Sequence, residues 1–591
     1  MCSEYDTDPA YTSPLNKTSM TETIFGIITA VIIIFISRFK PQYLTQKLFA
    51  ATIFATGCKK FLDVNKNVND PTTVPSSTLL TSAMVELGNS LAMGSGLSNE
   101  LAVYTHQMST REEPDQYGIK GNNFYINDAW PRMYENVFGD LDVIIEQSNA
   151  GDDASKHNTI YSGIAKILKA YGFSQFVDVF GDIPFSEFDK FPSGIKQPKF
   201  DDDAVIYDSL IKMLNDGIAD LKNTTAGNPQ KPGNDDLIYK GSVAKWEKAA
   251  NTIKLKLYTQ MRKVKNVSSE VTALLGSPST LINATSESFM VPYGPLGATD
   301  DRNPGFGDYT ASQRSNHVSP WFYEIMKGWN PNINTNVVDP RIPYYIYNQL
   351  KKTAAAPNDT EYRDSAFVTI YFGSVGQNRD KTQQNGISLF GIYPVGGRYD
   401  DGQGGKADAS SGTGAAPYRF ITYADRLYLE AELINTGVAT GDAKAKLQAA
   451  MQASMEQVDY VITNFVKPTQ SVPALYNTTA ANDYITSILT KYDAATTAKK
   501  LEYIMTQKWL SSVGSSVDQY TDYRRTGYPV LFDPNNAAMA PGGFVQPPVN
   551  GNPFVKPQAK VPVQLSVTYP LSLPWPQGEL ELNKNAPAQK T

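Results

Sequence analysis

Apolar residues recur at the spacing of an amphipathic helix along much of the chain, whereas the alternation typical of strands is rare and short. The residues Ile160, Ile164, Ile167, Leu168 and Tyr171 follow this spacing over successive turns. Further stripes of the same kind run through residues 206–221, 246–257, 423–434 and 501–509. The pattern predicts a mostly α protein in which each helix carries an apolar face.

Polar residues that cap helices stand before two of the predicted helices. Ser76 and Ser77 precede an apolar pattern that begins near Leu79, and Asp201–Asp203 precede the stripe at 206–221. Serine and aspartate side chains accept hydrogen bonds from the free N–H groups of a first helical turn, and the helix dipole favours acidic groups there. We therefore expect helices to begin near Leu79 and beside this acidic run.

Long polar connections separate the predicted helices. One runs from about Gly276 to Pro320, a second from Asp400 to Pro417, and the chain after Phe532 is rich in Pro, Asn and Gly. Connections of this length inside a compact protein are usually functional or disordered, and a helical scaffold with so many loop residues indicates a binding surface. No sequence repeat is plain, but paired helices of similar length fit a divergent tetratricopeptide-like array.

Two apolar stretches precede the globular part of the chain. The first, Ile24–Ser37, is shorter than the about 20 residues that span a membrane. The second, Leu48–Cys58, ends in Ala-Thr-Gly-Cys, and small residues before a cysteine form a cleavage signal that resembles the lipobox of bacterial lipoproteins. We predict an N-terminal extension and lipoprotein signal peptide at 1–57, a lipidated tether at 58–78 and one large helical domain at 79–591.

Cys58 is the predicted site of lipidation. Its thiol would form a thioether to diacylglycerol, and several acyl chains together anchor a protein firmly, whereas one chain is marginal. The alternative is that Cys58 is a small residue in a buried helix, which the polar sequence after it disfavours. The residues before the second apolar stretch exceed what such a signal needs, so either translation starts downstream or the two apolar stretches act together.

The charge pattern argues against a nucleic-acid binder. The chain of 591 residues has a net charge of −6 and contains no basic run. Its two cysteines and three histidines show no metal-ligand spacing, which disfavours a zinc site or a histidine-based triad. Asp400 and Asp401 with the glycines after them could hold Ca²⁺, but the spacing is not that of an EF-hand, and a flexible loop is the simpler interpretation.

Aromatic and polar side chains concentrate in the connection at 276–320 and just after it. Flat aromatic faces suit the apolar face of a sugar ring, while amide, carboxylate and guanidinium groups can bond its hydroxyls. The alternative is that the two tryptophans here anchor the loop to the scaffold. The predicted ligand contacts are Tyr309, Arg314, Asn316, Trp321, Tyr323 and Trp329, with Phe306 and His317 nearby in sequence.

Other conspicuous residues have structural interpretations. Trp246 and Trp509 fall on apolar helix faces, where core packing is favoured. Arg524 and Arg525 could clamp a carboxylate, but structural ion pairs are the commoner role of such a pair. The segment Phe180–Phe185 contains Gly, Asp and Pro and is interpreted as a turn.

Short motifs occur in a fixed order along nearly all of the chain after the predicted cleavage site. They are Cys58–Asp63 with Asn69–Pro71, Phe180–Phe185, Lys245–Leu257, Asp339–Arg341, Thr422–Glu432, Thr506–Trp509, Asp522–Pro529 and Pro574–Asn583. Each motif alone is weak, and their order is the specific signal. It resembles the SusD/RagB-like outer-membrane lipoproteins of Bacteroidetes, above all the SusD-like starch-binding branch, with Asp425 and Trp575 standing where the family usually has Glu and Tyr.

The resemblance implies a SusD-like helical fold of tetratricopeptide-like helix pairs with long ligand-binding loops. It implies a lipoprotein at the surface of the outer membrane that binds an oligosaccharide and delivers it to a SusC-like TonB-dependent transporter. A peptide ligand, as in the RagB type, stays open. No cofactor is implied beyond the covalent diacylglycerol and N-acyl lipid on Cys58. Lys59 and Lys60 stand where the family often has acidic residues for surface export, which weakens the inference of an outward-facing position.

A glycan-degrading enzyme is the alternative from another class. Hydrolysis of a glycosidic bond needs two carboxylates across a cleft, and no Asp or Glu of this sequence stands in a recognisable catalytic setting. We therefore predict a binding protein and not an enzyme. A structural surface protein without a ligand is a further interpretation.

Overall fold

The computed structural model describes residues 74–111, 117–382, 384–548 and 552–589. Within them, the chain forms a compact unit that begins at Pro75. No helix among these residues is both long enough and apolar enough to cross a bilayer. The predicted signal peptide, the lipidated Cys58 and the predicted tether up to residue 73 lie outside the described residues and stay predictions.

Helices are the main elements of the described chain, which confirms the predicted mostly α class. In chain order they are α1 Ser76–Leu91, α2 Ser98–Tyr104, α3 Phe124–Pro131, α4 Asp140–Ser148, α5 Thr159–Phe180, α6 Asp203–Leu221, α7 Val243–Met261, α8 Ser268–Leu275, α9 Gly307–Thr310, α10 Pro320–Met326, α11 Ile342–Tyr345, α12 Ile392–Val395, α13 Tyr423–Asn435, α14 Ala443–Val461, α15 Thr479–Asp493, α16 Thr497–Ser511, α17 Ser516–Thr526 and α18 Gln577–Leu582. A π-helical segment, Arg132–Gly139, joins α3 to α4, and another, Ile462–Val466, extends α14.

Every apolar stripe predicted from the sequence lies in a helix, namely α5, α6, α7, α13 or α16. The acidic start of α6 acts as expected, because the Asp202 carboxylate accepts hydrogen bonds from the backbone N–H groups of Ala204 and Val205. The first helix begins at Ser76, earlier than the predicted start near Leu79. Its N-cap residue is Pro75 and no side chain caps it, so the prediction of serine capping was wrong.

Consecutive helices pack in pairs, with α5 against α6 and α13 against α14. Gly163 and Gly217 face each other where α5 meets α6. A Cβ atom at Gly163 would lie 2.8 Å from the carbonyl oxygen of Gly217, and one at Gly217 would lie 3.1 Å from the carbonyl oxygen of Gly163. Because neither residue has a side chain, the two backbones approach closely here.

A network of buried charges joins α7, α13, α16 and α17. The Glu432 carboxylate is fully buried; one oxygen pairs with Arg262 at 2.8 Å and the other accepts a hydrogen bond from Arg525 at 2.9 Å. Arg525 also pairs with Asp522 at 2.7 Å, and Asp522 pairs with Lys508 at 2.7 Å. Burial alone would raise the pKa of Asp522, but Lys508 and Arg525 together lower it below its usual value.

The conspicuous tryptophans and arginines have structural roles. Trp246 and Trp509 are buried in the core and Arg525 forms ion pairs, as predicted. Arg524 instead donates to the carbonyl oxygen of Leu571 at 2.7 Å and lies over the ring of Tyr520. Arg525 therefore clamps a carboxylate of the protein itself, that of Glu432, while Arg524 bonds backbone oxygen, so both guanidinium groups have internal partners.

The strands are short and pair two by two in antiparallel fashion. The pairs are β1 Met108–Thr110 with β5 Asn316–Val318, β2 Ile183–Pro184 with β3 Phe200–Asp201, β4 Phe289–Val291 with β10 Tyr418–Ile421, β6 Ile346–Asn348 with β9 Ser388–Phe390, β7 Tyr362–Asp364 with β8 Phe367–Thr369, and β11 Phe544–Val545 with β12 Val561–Pro562. The connection at 276–320 therefore contains β4, β5 and α9 and is more ordered than predicted. The connection at 400–417 contains neither helix nor strand, as predicted.

Removing the charge of Glu432 would leave the buried Arg262 and Arg525 without the anion they share. We expect Glu432→Gln to lower the free energy of unfolding by about 3 kcal/mol or more, since breaking a buried ion pair costs about 3–5 kcal/mol. Urea denaturation followed by circular dichroism measures this loss. The control Asp216→Asn removes the exposed partner of Lys212 and should cost less than about 1 kcal/mol. Equal losses in the two variants would contradict the role given to the network.

Candidate functional site

Tyr309, Arg314 and Asn316 lie at α9 and β5, and their polar groups are bonded within the protein. The Tyr309 hydroxyl donates to the carbonyl oxygen of Phe390 at 2.9 Å. Arg314 is buried and donates to backbone carbonyl oxygens, and the Asn316 amide lies 3.2 Å from the Asp308 carboxylate. Burial raises the pKa of Asp308 to about 6, although the bond from Asn316 acts in the opposite direction. Tyr309 and Arg314 also line an open cavity of about 500 Å³.

Trp321 and Tyr323 share α10, and Trp329 follows that helix. The indole N–H of the half-buried Trp321 donates to the carbonyl oxygen of Val530 at 3.1 Å. Tyr323 is buried and its hydroxyl donates to Asp364 at 2.6 Å. Trp329 is 44% exposed and is the most accessible of the predicted contacts. The bond of Trp321 agrees with the alternative in which the two tryptophans anchor the loop, whereas the exposed Trp329 gives that alternative less support. Contact of these residues with a ligand stays a prediction.

A cavity of about 540 Å³ lies between the segments 355–363, 376–378 and 552–562. We call it the Phe554 cavity, because the Phe554 ring on its wall is 60% exposed. Its volume falls in the range of small-molecule sites, about 300–1,000 Å³. An aromatic ring held open to solvent at the edge of such a cavity is a candidate platform for a ligand.

Amide side chains form much of the polar wall of the Phe554 cavity. They are Asn358, Gln377, Asn378, Asn552 and Gln558. Asn358 and Gln558 donate to backbone carbonyl oxygens, whereas Gln377 and Asn378 make no side-chain hydrogen bond to another described residue. An amide both donates and accepts hydrogen bonds, so these two groups can bond a hydroxyl in either direction.

The charged residues on this wall balance one another and are mostly bonded internally. Glu361 accepts hydrogen bonds from the Tyr371 backbone N–H at 2.8 Å and the Ser374 hydroxyl at 2.6 Å. Burial raises the pKa of Glu361, although these two bonds act against that rise. Arg363 is buried and donates to the carbonyl oxygen of Ser365 at 2.8 Å. Asp359 and Lys560 complete the charged groups of the cavity, which therefore presents no excess of either sign.

Backbone pairing brings distant segments together to form this cavity. The Gln558 side chain acts like a strand residue beside β7: its oxygen accepts from the Arg363 N–H at 2.9 Å, and its nitrogen donates to the Arg363 carbonyl oxygen at 2.6 Å. The N–H of Val375 donates to the carbonyl oxygen of Pro562 at 3.0 Å, and Ser374 forms a bridge with Val563. The C-terminal segment thus supplies one wall and the middle of the chain supplies the other.

None of the residues on the wall of the Phe554 cavity was among the predicted contacts. The sequence contains one signal, the apolar pair Phe554-Val555 between Asn552-Pro553 and Lys556-Pro557, in a region rich in turn residues. An apolar pair with turn residues on both sides is hard to bury and therefore marks an exposed ring. Its partners in the cavity are far away in sequence and could not be found from local pattern.

The described chain holds no group of three or more His, Cys, Asp or Glu side chains able to bind a metal. In the loop considered for Ca²⁺, Asp400 accepts a hydrogen bond from the Asn348 side chain and another from the Gly402 N–H. Asp401 accepts one from the Gln470 side chain at 3.2 Å. Both carboxylates therefore serve to shape the loop.

His317 lies in β5 opposite Ser109 and is buried. Neither of its ring nitrogens has a hydrogen-bond partner in the described chain. Burial lowers its pKa to about 3, and the positive charges of Arg379 and Arg111 act in the same direction. His317 is therefore a neutral residue of the core.

A family profile described as SusD-like, starch-binding and associating with the outer membrane matches residues 68–547. Among solved structures, a chitin-binding protein is similar with a TM-score of 0.57 and 20% identity, over 80% of this chain and 91% of that chain. A SusD homologue from Bacteroides fragilis has a TM-score of 0.58 and 20% identity, over 86% and 94%. A SusD-like protein of Bacteroidetes has a TM-score of 0.59 and 15% identity, over 86% and 95%. At these identities the likeness shows the fold alone, and no functionally curated protein matches the chain.

The buried His317 should make the protein sensitive to acid. In the unfolded chain its pKa is about 6.5, so between about pH 6.5 and pH 3 the unfolded chain binds a proton that the folded chain does not. Stability therefore falls as the pH falls through this window, by up to about 1.4 kcal/mol per pH unit. We expect His317→Leu to reduce the slope of unfolding free energy against pH, measured by urea denaturation.

His106 offers an internal reference for this measurement, because burial also lowers its pKa to about 3. It remains in the variant, so part of the slope should persist. A slope identical to that of the unaltered protein would show that His317 does not titrate on unfolding.

Proposed function

The chain belongs to the SusD-like family, described as starch-binding and associating with the outer membrane, and from this premise we propose that it captures a neutral oligosaccharide. In this proposal it delivers the sugar to a SusC-like TonB-dependent transporter. The Phe554 cavity is the observation that carries the proposal: an exposed aromatic ring stands beside free amide groups in a space of about 540 Å³.

The chemistry of this cavity suits a ligand with apolar ring faces and many hydroxyls. A sugar ring can stack its C–H face on Phe554, while Gln377 and Asn378 exchange hydrogen bonds with its hydroxyls. Such a site needs few charged groups, because neither partner is ionised. The cavity thus supports binding through stacking and neutral hydrogen bonds.

The charge distribution favours a neutral glycan over a peptide of the RagB type. A peptide carries charged groups, and a site for them needs free counter-charges. Arg363 and Glu361 are bonded to groups of the protein itself, and Asp359 pairs with Lys381 at 3.4 Å. Among the charged residues on the described wall, only Lys560 is left without a partner.

The same contacts favour binding without turnover. A glycosidase needs one carboxylic acid and a second carboxylate on opposite sides of the bond. Glu361 is held inside the wall by two hydrogen bonds, and Asp359 forms an ion pair. We therefore keep the interpretation of a binding protein and set the glycan-degrading enzyme aside.

Attachment to the outer membrane by lipid on Cys58 is part of the proposal. It rests on the small residues before this cysteine and on the outer-membrane association of the family. A tethered binding protein raises the local concentration of its ligand beside a transporter in the same membrane. This geometry is what delivery to a SusC-like barrel requires.

Replacing Phe554 by alanine should weaken oligosaccharide binding by about tenfold or more. The loss follows from the apolar contact of a ring, which contributes about 1.5–3 kcal/mol when fully buried by a ligand. Isothermal titration calorimetry of the soluble fragment from residue 59 with maltooligosaccharides and chitooligosaccharides measures it. Chromatography of the same mixtures should show no shortened product.

Phe191→Ala is the matched control, since Phe191 is 67% exposed but lines no part of the Phe554 cavity. Its affinity should equal that of the unaltered protein. Unchanged affinity of the Phe554→Ala variant would show that the oligosaccharide binds outside the Phe554 cavity. Shortened glycans in the mixture would instead favour the enzyme.

Cys58→Ser should release the protein from the membrane fraction, because the thiol that carries diacylglycerol is lost. Fractionation and mass spectrometry of protein from the cells that produce it would measure this. Cys2→Ser removes the other cysteine of the chain and should leave the protein membrane-bound. An unacylated Cys58 in the unaltered protein would contradict the anchor.

A further inference from the structure

A cavity of about 120 Å³ lies beside α10 and has four aromatic side chains among its ten lining residues. A cavity of about 150 Å³ holds benzene in another protein, so this one has room for a small organic head group. Trp321 is half-buried, and the other rings are almost fully buried. The rings are those of Trp321, Tyr371, Phe372 and Phe532, and Met539 adds a thioether.

Glu324 is the one charged residue among the described residues that line this cavity. Its carboxylate accepts a hydrogen bond from the Tyr362 hydroxyl at 3.0 Å, and no lysine or arginine of the described chain forms an ion pair with it. A carboxylate largely removed from water is unfavourable without a compensating positive charge. When it is ionised, Glu324 therefore has no counter-charge among the described residues.

The groups around Glu324 do not supply that charge. Asp364, an acid whose charge acts on Glu324, accepts a hydrogen bond from Tyr323 at 2.6 Å, and the Lys327 ammonium lies 3.9 Å from that same Asp364. Burial raises the pKa of Glu324 to about 7, the hydrogen bond from Tyr362 lowers it, and the charge of Asp364 raises it further. The local field is thus negative, with one lysine directed to the neighbouring acid.

We propose that this cavity, formed by Trp321, Tyr371, Phe372, Phe532 and Glu324, binds a small alkylammonium group. The faces of aromatic rings attract a cation, and the carboxylate neutralises it at close range. An anion would be repelled by the charge of Glu324, and a neutral apolar group would leave that carboxylate without a counter-charge. An alkylammonium group is attracted both by the ring faces and by the Glu324 carboxylate.

The cavity is separate from the proposed oligosaccharide site but shares a wall with it. Val545 lines the alkylammonium cavity and pairs in register with Val561, which lines the Phe554 cavity. The two sites have no lining residue in common. Failure of one proposal therefore leaves the other standing.

Choline and ethanolamine are suitable probes, together with the neutral isostere of choline in which a tert-butyl group replaces trimethylammonium. Titration calorimetry should show that at least one of the two cations binds, and that the isostere binds about tenfold more weakly than choline or not at all. The comparison of choline with ethanolamine distinguishes a quaternary from a primary ammonium. Affinity should rise between about pH 6 and pH 8, as Glu324 loses its proton.

Glu324→Gln should reduce the preference for the cation to the part that the aromatic rings supply, and Trp321→Ala should weaken binding of the cation without creating binding of the isostere. Glu135→Gln, on the exposed face of the π-helical segment, is the matched control and should bind as the unaltered protein does. Circular dichroism checks that each variant is folded. Equal affinity for choline and its isostere, or no binding of either cation to the unaltered protein, would overturn the proposal without recourse to any variant.

Discussion

The pairing of Glu432 with Arg262 and Arg525 is the interaction on which the helical scaffold depends. Removing a carboxylate and two guanidinium groups from water is costly, and only close pairing offsets that cost. The three residues come from the end of α7, from α13 and from α17, so the pairing is satisfied only when these helices meet in one arrangement. Asp522 and Lys508 extend this requirement to α16. Helices can bury a similar apolar area in several arrangements, whereas only a few arrangements pair all the buried charges of this network.

The pairing of very short strands holds the loops to this scaffold. No strand in the described chain is longer than the four residues of β10, so each pair contributes few backbone hydrogen bonds. Side chains complete them: Gln558 bonds both backbone groups of Arg363. The polar groups of the loops are thereby satisfied without regular sheets, and their remaining side chains are free to form cavities.

The helices could be predicted from the sequence because their information is local. The stripe from Ile160 to Tyr171 repeats at 3.6 residues per turn and predicted α5, although this helix is buried on nearly all sides and not on one face alone. The start of α1 was misplaced because Pro75, rather than a serine, occupies its N-cap position. The order of the short motifs along the chain identified the family, which the match over residues 68–547 confirms.

The candidate sites were much less predictable, since aromatic residues serve cores and ligands alike. Tyr309 and Tyr323 have the residue type of a sugar platform, yet both are buried and bonded to groups of the protein. Whether a ring faces solvent depends mainly on tertiary packing, and the turn residues around Phe554 are the one local signal of it here. Phe554 lies on the cavity wall because the segment around it pairs with a distant part of the chain. Gln558 and Arg363, which bond each other, are 195 residues apart in sequence.

This distance along the chain has a consequence for biogenesis. The wall that carries Phe554 is synthesised later than its opposite wall at 355–378, because it follows that wall along the chain. Until the C-terminal strand pair has docked, the Phe554 cavity has one side and cannot enclose a sugar. The site proposed for the oligosaccharide therefore forms only after both walls have been synthesised and paired.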